Sequence, residues 1–224
     1  MECNNINTLA HVLWARVVRP GDAVVDATAG NGFDALALAR LALAEDGGEA
    51  RGSVLAIDVQ EEALAATHAR LGAALTPAQL ARCTLHHGCH SQLAALVKPD
   101  SVTLAAFNLG FLPVKNATPT RSKACVTRPE TTAAALAASA AALRPGGCIS
   151  CMVYFGHPEG PAEAAAVDAF AAALPPRQWT STSISLLNRA AAPRLVLMYR
   201  RHCGVADAAA AGGAAPTHAK AGRS

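Results

Sequence analysis

The apolar positions along the chain switch repeatedly between a helical and an extended period. Leu9, Val12, Leu13 and Val17 recur at helical spacing and predict a helix over 8–18, which Pro20-Gly21-Asp22 breaks. AVVDAT at 23–28 predicts a first strand, and AGNGF then turns the chain into a helix over 33–44. After a Gly-rich stretch at 46–52, SVLAID at 53–58 predicts a second strand and residues 60–72 a helix. A third strand at 83–88 and a helix at 90–97 follow. VTLAAFNL at 102–109 is almost wholly apolar and suits a strand covered on both faces.

Beyond that strand the period is lost. Residues 110–128, GFLPVKNATPTRSKACVTR, carry two prolines and four basic residues. A stretch this long without periodicity inside a domain is usually functional. Arg128-Pro129-Glu130 opens a helix over 129–143, Arg144-Pro145-Gly146-Gly147 stops it, and a strand is expected over 148–155. GHPEGP leads to a helix at 161–173, and two strands close the pattern near 179–187 and 194–201. Strands and helices alternate from 23 to 173, which predicts right-handed crossovers and a mainly parallel sheet. The last two strands, joined by Asn188 to Pro193 without a helix, predict an antiparallel hairpin at one edge. The expected architecture is α/β and Rossmann-like, a seven-stranded mainly parallel sheet with helices on both faces. Residues 1–203 are expected to form one domain, and the Ala/Gly-rich residues 204–224 a disordered tail.

Composition narrows the class. The 224 residues are 52% hydrophobic and 16% charged, a balance that suits one globular core rather than a disordered chain. With 4% aromatic residues, extensive stacking platforms for single-stranded nucleic acid are not expected. A net charge of +3 permits contact with a polyanion without requiring it. The seven cysteines are odd in number and form no framework, which favours a reducing compartment. Cys148 and Cys151 lie three apart on a predicted strand and so face opposite sides; no metal site is expected. No apolar run is long enough for a membrane helix, and MECNNINTLA lacks the pattern of a signal peptide. Bacterial cytosol and plastid stroma both fit.

The strongest local signal is Asp26-Ala27-Thr28-Ala29-Gly30-Asn31-Gly32, between a predicted strand and a predicted helix. Gly30 and Gly32 let the backbone turn and approach a ligand without a Cβ, and the following helix offers free N–H groups. Asp58, at the end of the second strand, is placed to accept from both hydroxyls of a ribose. That position is shared by nicotinamide enzymes and methyltransferases. Ala35 stands where a nicotinamide fingerprint has its third glycine, a replacement that fingerprint tolerates. Asp26 is the discriminator: its charge would repel a pyrophosphate but attract a cationic sulfonium. The competing structural readings are a loop cap for Asp26 and a helix N-cap for Asp58.

VDATAGNGFD at 25–34, AIDVQ at 56–60, FNLGFLP at 107–113, RPETT at 128–132 and GHPEG at 156–160 together resemble one small family. It is a family of class I S-adenosylmethionine-dependent methyltransferases once labelled rRNA methylases. It is now associated with methylation of 5-aminomethyl-2-thiouridine at the tRNA wobble position. The resemblance covers about residues 9–201. It departs at Phe33, where members often carry His, and in a longer segment at 114–127. The resemblance implies S-adenosylmethionine as cofactor, the tRNA anticodon stem-loop as partner, and a homodimer as a compatible assembly.

It also implies the site. Asp26, Thr28, Gly30, Asn31, Gly32, Asp34, Asp58 and Gln60 are the candidate cofactor contacts, with His90 and Ser91 near the adenine. Asn108, with Leu109 and Gly110, is the candidate catalytic group; its side-chain carbonyl would hold the acceptor amine and aim its lone pair. Asn108 also borders the cofactor. Leu112, Pro113, Lys123, Arg128, Tyr154 and His157 are the candidate substrate contacts, and Lys115 and Arg121 would extend a tRNA-binding edge. The alternatives are a methyltransferase for rRNA or a small molecule, and a cofactor-binding module that does no chemistry.

Overall fold

The computed structural model describes residues 5–43, 52–110, 127–156, 158–189 and 192–202. Asn5 caps the first helix, its side chain accepting from the Thr8 backbone N–H at 2.8 Å, and α1 runs Ile6–Val17. Ile6, Ala10 and Trp14, one turn apart, form its buried face, and the Trp14 indole N–H donates to Ser150 Oγ at 2.9 Å. Next come β1 (Ala23–Asp26), α2 (Phe33–Ala42), β2 (Ser53–Asp58), α3 (Glu61–Ala74), α4 (Pro77–Leu80) and β3 (Cys83–His87). A 3₁₀ turn at His90–Gln92 leads into α5 (Leu93–Leu96) and β4 (Val102–Asn108). The remaining elements are α6 (Pro129–Ala142), β5 (Leu143–Val153), α7 (Gly160–Ala173), β6 (Trp179–Ile184) and β7 (Arg194–Arg200).

The strands form one seven-stranded sheet in the order β3-β2-β1-β4-β5-β7-β6. Neighbours from β3 to β5 are parallel, while β7 runs antiparallel to both β5 and β6. This is the expected sheet with its hairpin. The apolar RLVLMYR of β7 takes the inner place, and the Ser/Thr-rich β6, mostly exposed, takes the edge. One core lies between the sheet and α1, α2 and α3, built on Trp14, Leu38, Leu71 and Leu104. The other lies under α5, α6 and α7, built on Leu93, Leu136, Val167 and Phe107. Ala35, Ala39 and Ala42 are all fully buried, so α2 meets its neighbours through small side chains. Among the described residues no helix is long and apolar enough to cross a membrane.

Three local expectations change. β5 begins at Leu143, ahead of the Pro-Gly-Gly run that reads as a stop: its register passes from Val102 opposite Leu143 to Leu104 opposite Cys148. The extra residues are absorbed as an irregularity in the strand, with Gly146 at φ +83°. The helix α4 was not expected; Thr76 and Gln79 form a capping box around it. The first strand ends at Asp26, so Ala27 and Thr28 belong to the loop. Cys148 and Cys151 are both buried, and burial pushes the Cys148 thiol up to about 12, which keeps it protonated. The segment 204–224 lies outside the described residues.

Candidate active site

β1 sits where the strand order reverses, with β2 on one side and β4 on the other. Crevices that bind ligands in doubly wound sheets open at that point. The loop leaving β1 divides its hydrogen bonds between the two neighbours: the Ala27 N–H donates to the Ala106 carbonyl and the Ala29 N–H to the Ile57 carbonyl, both at 2.8 Å. Gly32 then takes φ +75° ahead of α2, and a Cβ there would lie 2.8 Å from Thr67 Cα. Thr67 Oγ1 donates to the Gly30 carbonyl at 3.1 Å, so α3 braces the bend.

Above these strand ends lies a cavity of about 780 Å³, within the range of about 300–1,000 Å³ usual for ligand sites. Thr28, Gly30, Asn31, Asp58, Gln60 and His90 line its β1–β2 end. Asp58 Oδ2 accepts from the Gly30 N–H and Oδ1 from the Gln60 N–H, each at 2.9 Å. A carboxylate has about four lone-pair positions, so these two bonds fix its orientation and leave capacity for two further donors. The N-cap of α3 is Gln60, without a side-chain cap bond, so Asp58 does not cap that helix, and its two bonds are compatible with the ribose reading. His90 is 5% exposed, stands edge-on to Phe107 and bonds the Ala27 backbone. Burial lowers its pKa, so the ring is neutral at physiological pH. Its Nε2 is buried without a hydrogen-bond partner among the described residues, while the residue lines the cavity. A paired ribose acceptor and a neutral imidazole lacking a partner suit the adenosyl part of S-adenosylmethionine.

The β4 end is lined by Asp34, Asn108, Leu109, Gly110 and Tyr154. The backbone N–H groups of three successive residues are all taken: Asn108 donates to Thr28 Oγ1 at 2.7 Å, Leu109 to the Met152 carbonyl at 2.9 Å, and Gly110 to Thr127 Oγ1 at 2.8 Å. Asn108 Nδ2 donates to Asp34 Oδ2 at 3.2 Å. A carboxylate only accepts, so the amide nitrogen must face Asp34, which leaves Asn108 Oδ1 as an acceptor. Asp34 Oδ1 is 2.7 Å from His11 Nε2. Tyr154 is half-buried; burial raises its pKa and a bond to Asn7 lowers it.

Four predicted residues do not line the cavity. Asp26 is the main correction: it is 1% exposed, Oδ1 accepts from the Thr28 N–H at 3.2 Å, and Oδ2 has no partner among the described residues. Burial, and next Asp34, pushes its carboxyl well above the usual carboxylate range. The loop-cap reading therefore describes Asp26 better, and the carboxylates at the cavity are Asp34 and Asp58. Gly32 shapes the bend from behind, Ser91 sits in the 3₁₀ turn, and Arg128 is exposed at the start of α6. Leu112, Pro113, Lys123 and His157, with Lys115 and Arg121, lie outside the described residues.

Sequence reasoning does not single out His11, Thr127 or Glu163. His11 on α1 lines the cavity, and nothing in a lone histidine on an amphipathic helix marks it. Glu163 on α7, 1% exposed, accepts from Thr127 Oγ1 at 2.7 Å and Thr132 Oγ1 at 2.6 Å. Thr127 in turn pairs with both backbone groups of Gly110, so this carboxylate anchors the far side of the Asn108 segment.

Residues 54–200 match the family model described as "Putative rRNA methylase". The tRNA (mnm5s2U34)-methyltransferase, chloroplastic, of Arabidopsis thaliana is 39% identical over 194 residues, spanning 86% of this chain and 68% of that protein. A Clostridium thermocellum structure bearing the family's description has a TM-score of 0.77 at 30% identity and covers 89% of this chain and 100% of its own. A Streptococcus mutans protein solved in complex with SAH has a TM-score of 0.72 at 28% identity, with 89% and 99% covered. The chain thus belongs to the rRNA-methylase family and is an S-adenosylmethionine-dependent methyltransferase.

Proposed function

We propose that this methyltransferase acts on tRNA, converting 5-aminomethyl-2-thiouridine at the wobble position to 5-methylaminomethyl-2-thiouridine. The observation that carries the amine reading is the polarity of the β4 end. With the N–H groups of Asn108, Leu109 and Gly110 all engaged, Asn108 Oδ1 and the Asp34 carboxylate are left to accept there. An amine brings donors and suits such a site; a developing oxyanion would need the opposite. The choice of tRNA rests on the Arabidopsis relative, whose name specifies the mnm5s2U34 modification.

When bound, S-adenosylmethionine supplies a methyl group already activated on a sulfonium. Asp58 would accept from the ribose hydroxyls, the Gly30 and Asn31 backbone would border the amino-acid portion, and Thr28 and Gln60 would complete that wall. His90 Nε2 would accept from the adenine amine. Asn108 Oδ1 would hold one amine N–H and so aim the nitrogen lone pair; alignment of this kind is the main catalytic requirement of a methyl transfer. Tyr154 would face the base and Arg128 a phosphate beside it. Leu112, Pro113, Lys123 and His157 remain proposed substrate contacts on sequence grounds, and bacterial cytosol or plastid stroma the proposed compartment.

Mass spectrometry of nucleosides from cells lacking the protein tests this. Accumulated 5-aminomethyl-2-thiouridine, depleted by the purified protein with cofactor, is the expected result. Unchanged wobble nucleosides in the deletion strain would overturn the tRNA assignment and turn attention to rRNA or a small amine.

A further inference from the structure

His11 is the one imidazole at the β4 end of the cavity among the described residues. It reaches that end from α1, outside the span of the family model and ahead of the first motif loop. Its Nε2 lies 2.7 Å from Asp34 Oδ1, and its ring packs against Trp14 with centroids 4.7 Å apart. Asp34 uses its other oxygen for Asn108. One carboxylate therefore orients two side chains that line the same wall. A carboxylate bonded to one imidazole nitrogen fixes the tautomer, placing the proton on Nε2 and the lone pair on Nδ1. This is how a base is prepared in other enzymes: the carboxylate holds the ring, and the free nitrogen moves the proton.

An amine acceptor needs such a group. Alkylamines resemble the lysine side chain, with a pKa of about 10.4, and are mostly cationic near neutral pH. The cation has no lone pair to attack with.

We propose that His11 is the general base of this methyltransferase, taking a proton from the acceptor ammonium, with Asp34 as the positioning residue that orients its ring. The N–H bond breaks with its electron pair left on the amine nitrogen, and the Nδ1 lone pair of His11 forms the new N–H bond. The neutral amine then attacks, and the imidazolium returns its proton to solvent. The ionisable groups around His11 are Asp34 from α2 and Tyr154 at the end of β5, with buried Asp26 within electrostatic reach of Asp34; Asn7, Trp14 and Asn108 are its neutral neighbours. The base role rests on reading the acceptor as a primary amine.

The test uses full-length protein, S-adenosylmethionine and tRNA carrying 5-aminomethyl-2-thiouridine. His11→Gln keeps a donor for Asp34, so a purely structural role survives it and a base does not. Near pH 7 turnover should fall on the order of 10²-fold. The deficit should shrink as pH rises and solvent deprotonates the amine, while affinity for S-adenosylhomocysteine stays within about twofold because His11 sits at the acceptor end. Unchanged turnover, or a deficit that is the same at every pH, overturns the proposal. A second arm needs no acceptor: the His11 ring is titrated by NMR in wild type and in Asp34→Asn. A midpoint that moves down in the variant supports the dyad, and an unmoved midpoint overturns it. Wild-type protein inactive on the tRNA would instead count against the substrate reading, and the titration would still judge the His11–Asp34 pair.

Discussion

The two ends of the cavity are built from different materials. At the β1–β2 end a single carboxylate, Asp58, is held by backbone N–H groups of Gly30 and Gln60, and the loop around it is tied into the sheet by Ala27 and Ala29. At the β4 end side chains hold side chains: His11 with Asp34 across 23 residues, Asn108 with Asp34 across 74, Thr127 with Glu163 across 36. The first arrangement follows from the fold, because any chain with this βαβ unit and a glycine bend brings those amides to that place. The second depends on particular side chains from α1, α2, β4 and α7 meeting. On the proposed reading, the general cofactor falls to the backbone-held end and the acceptor to the network of side chains.

If that division holds, removing Asp58 should hurt cofactor binding most. Asp58→Ala deletes a charged acceptor for the ribose hydroxyls and releases the amides of Gly30 and Gln60. At about 1.5–3 kcal/mol for each of two hydrogen bonds to a charged group, affinity for S-adenosylhomocysteine should fall on the order of 10²–10⁴-fold by calorimetry. Undiminished affinity would mean that the β1–β2 end is not the cofactor end. Asn108→Ala probes the opposite side. Turnover should drop on the order of tenfold to a hundredfold, the usual cost of a misplaced reactant, with S-adenosylhomocysteine bound almost as tightly. Should cofactor affinity fall as far as turnover, the two ends are not separable and the contrast fails.

Glu163→Gln sharpens the same contrast at one remove from the cavity. The carboxylate accepts from two threonine hydroxyls; a glutamine can accept with only one oxygen and sets an N–H against the other hydroxyl. The cost should be about 1–3 kcal/mol of stability for a buried polar group left unsatisfied, read from the denaturant midpoint. Turnover should fall by more than the loss of folded protein explains, because Gly110 hangs from Thr127. An unchanged midpoint would remove Glu163 from the scaffold.

This asymmetry also explains what the sequence reveals. The strand order, the hairpin and the glycine bend are legible because they follow from periodicity and from short motifs. Asp58 is legible because the βαβ unit fixes its distance from the bend. His11, Thr127 and Glu163 are not legible: each is one polar residue on an otherwise ordinary element, and its role arises only when helices from distant parts of the chain pack. Asp26 is the instructive error. The sequence suggests a negative charge there, but the last residue of a central strand is taken by the core, where burial and two neighbouring carboxylates favour the neutral acid. The Pro-Gly-Gly run before Cys148 misleads in a similar way, since pairing with β4 carries the strand across it.

The smallest effect expected is a pH dependence at the β1–β2 end. His90 is buried, and burial depresses its pKa more than the Ala27 bond and the Asp58 charge restore it. In the unfolded chain an imidazole titrates near 6.5. Between that value and the lower folded one, the unfolded state binds more protons, so stability must fall as pH falls through the window. Above 6.5 His90 adds no slope. Asp26 has the opposite sign: its raised folded pKa makes stability fall as pH rises from the ordinary carboxylate range through the raised value. The two contributions overlap in wild type, so the informative quantity is the difference between wild type and His90→Gln, which keeps Asp26. Denaturant midpoints compared from pH 8 downward should run parallel until about 6.5, after which wild type should lose ground to the variant. Curves that stay parallel throughout would mean that His90 accepts its proton within the fold as readily as outside it, and the cofactor end would then lack the neutral acceptor assigned to it.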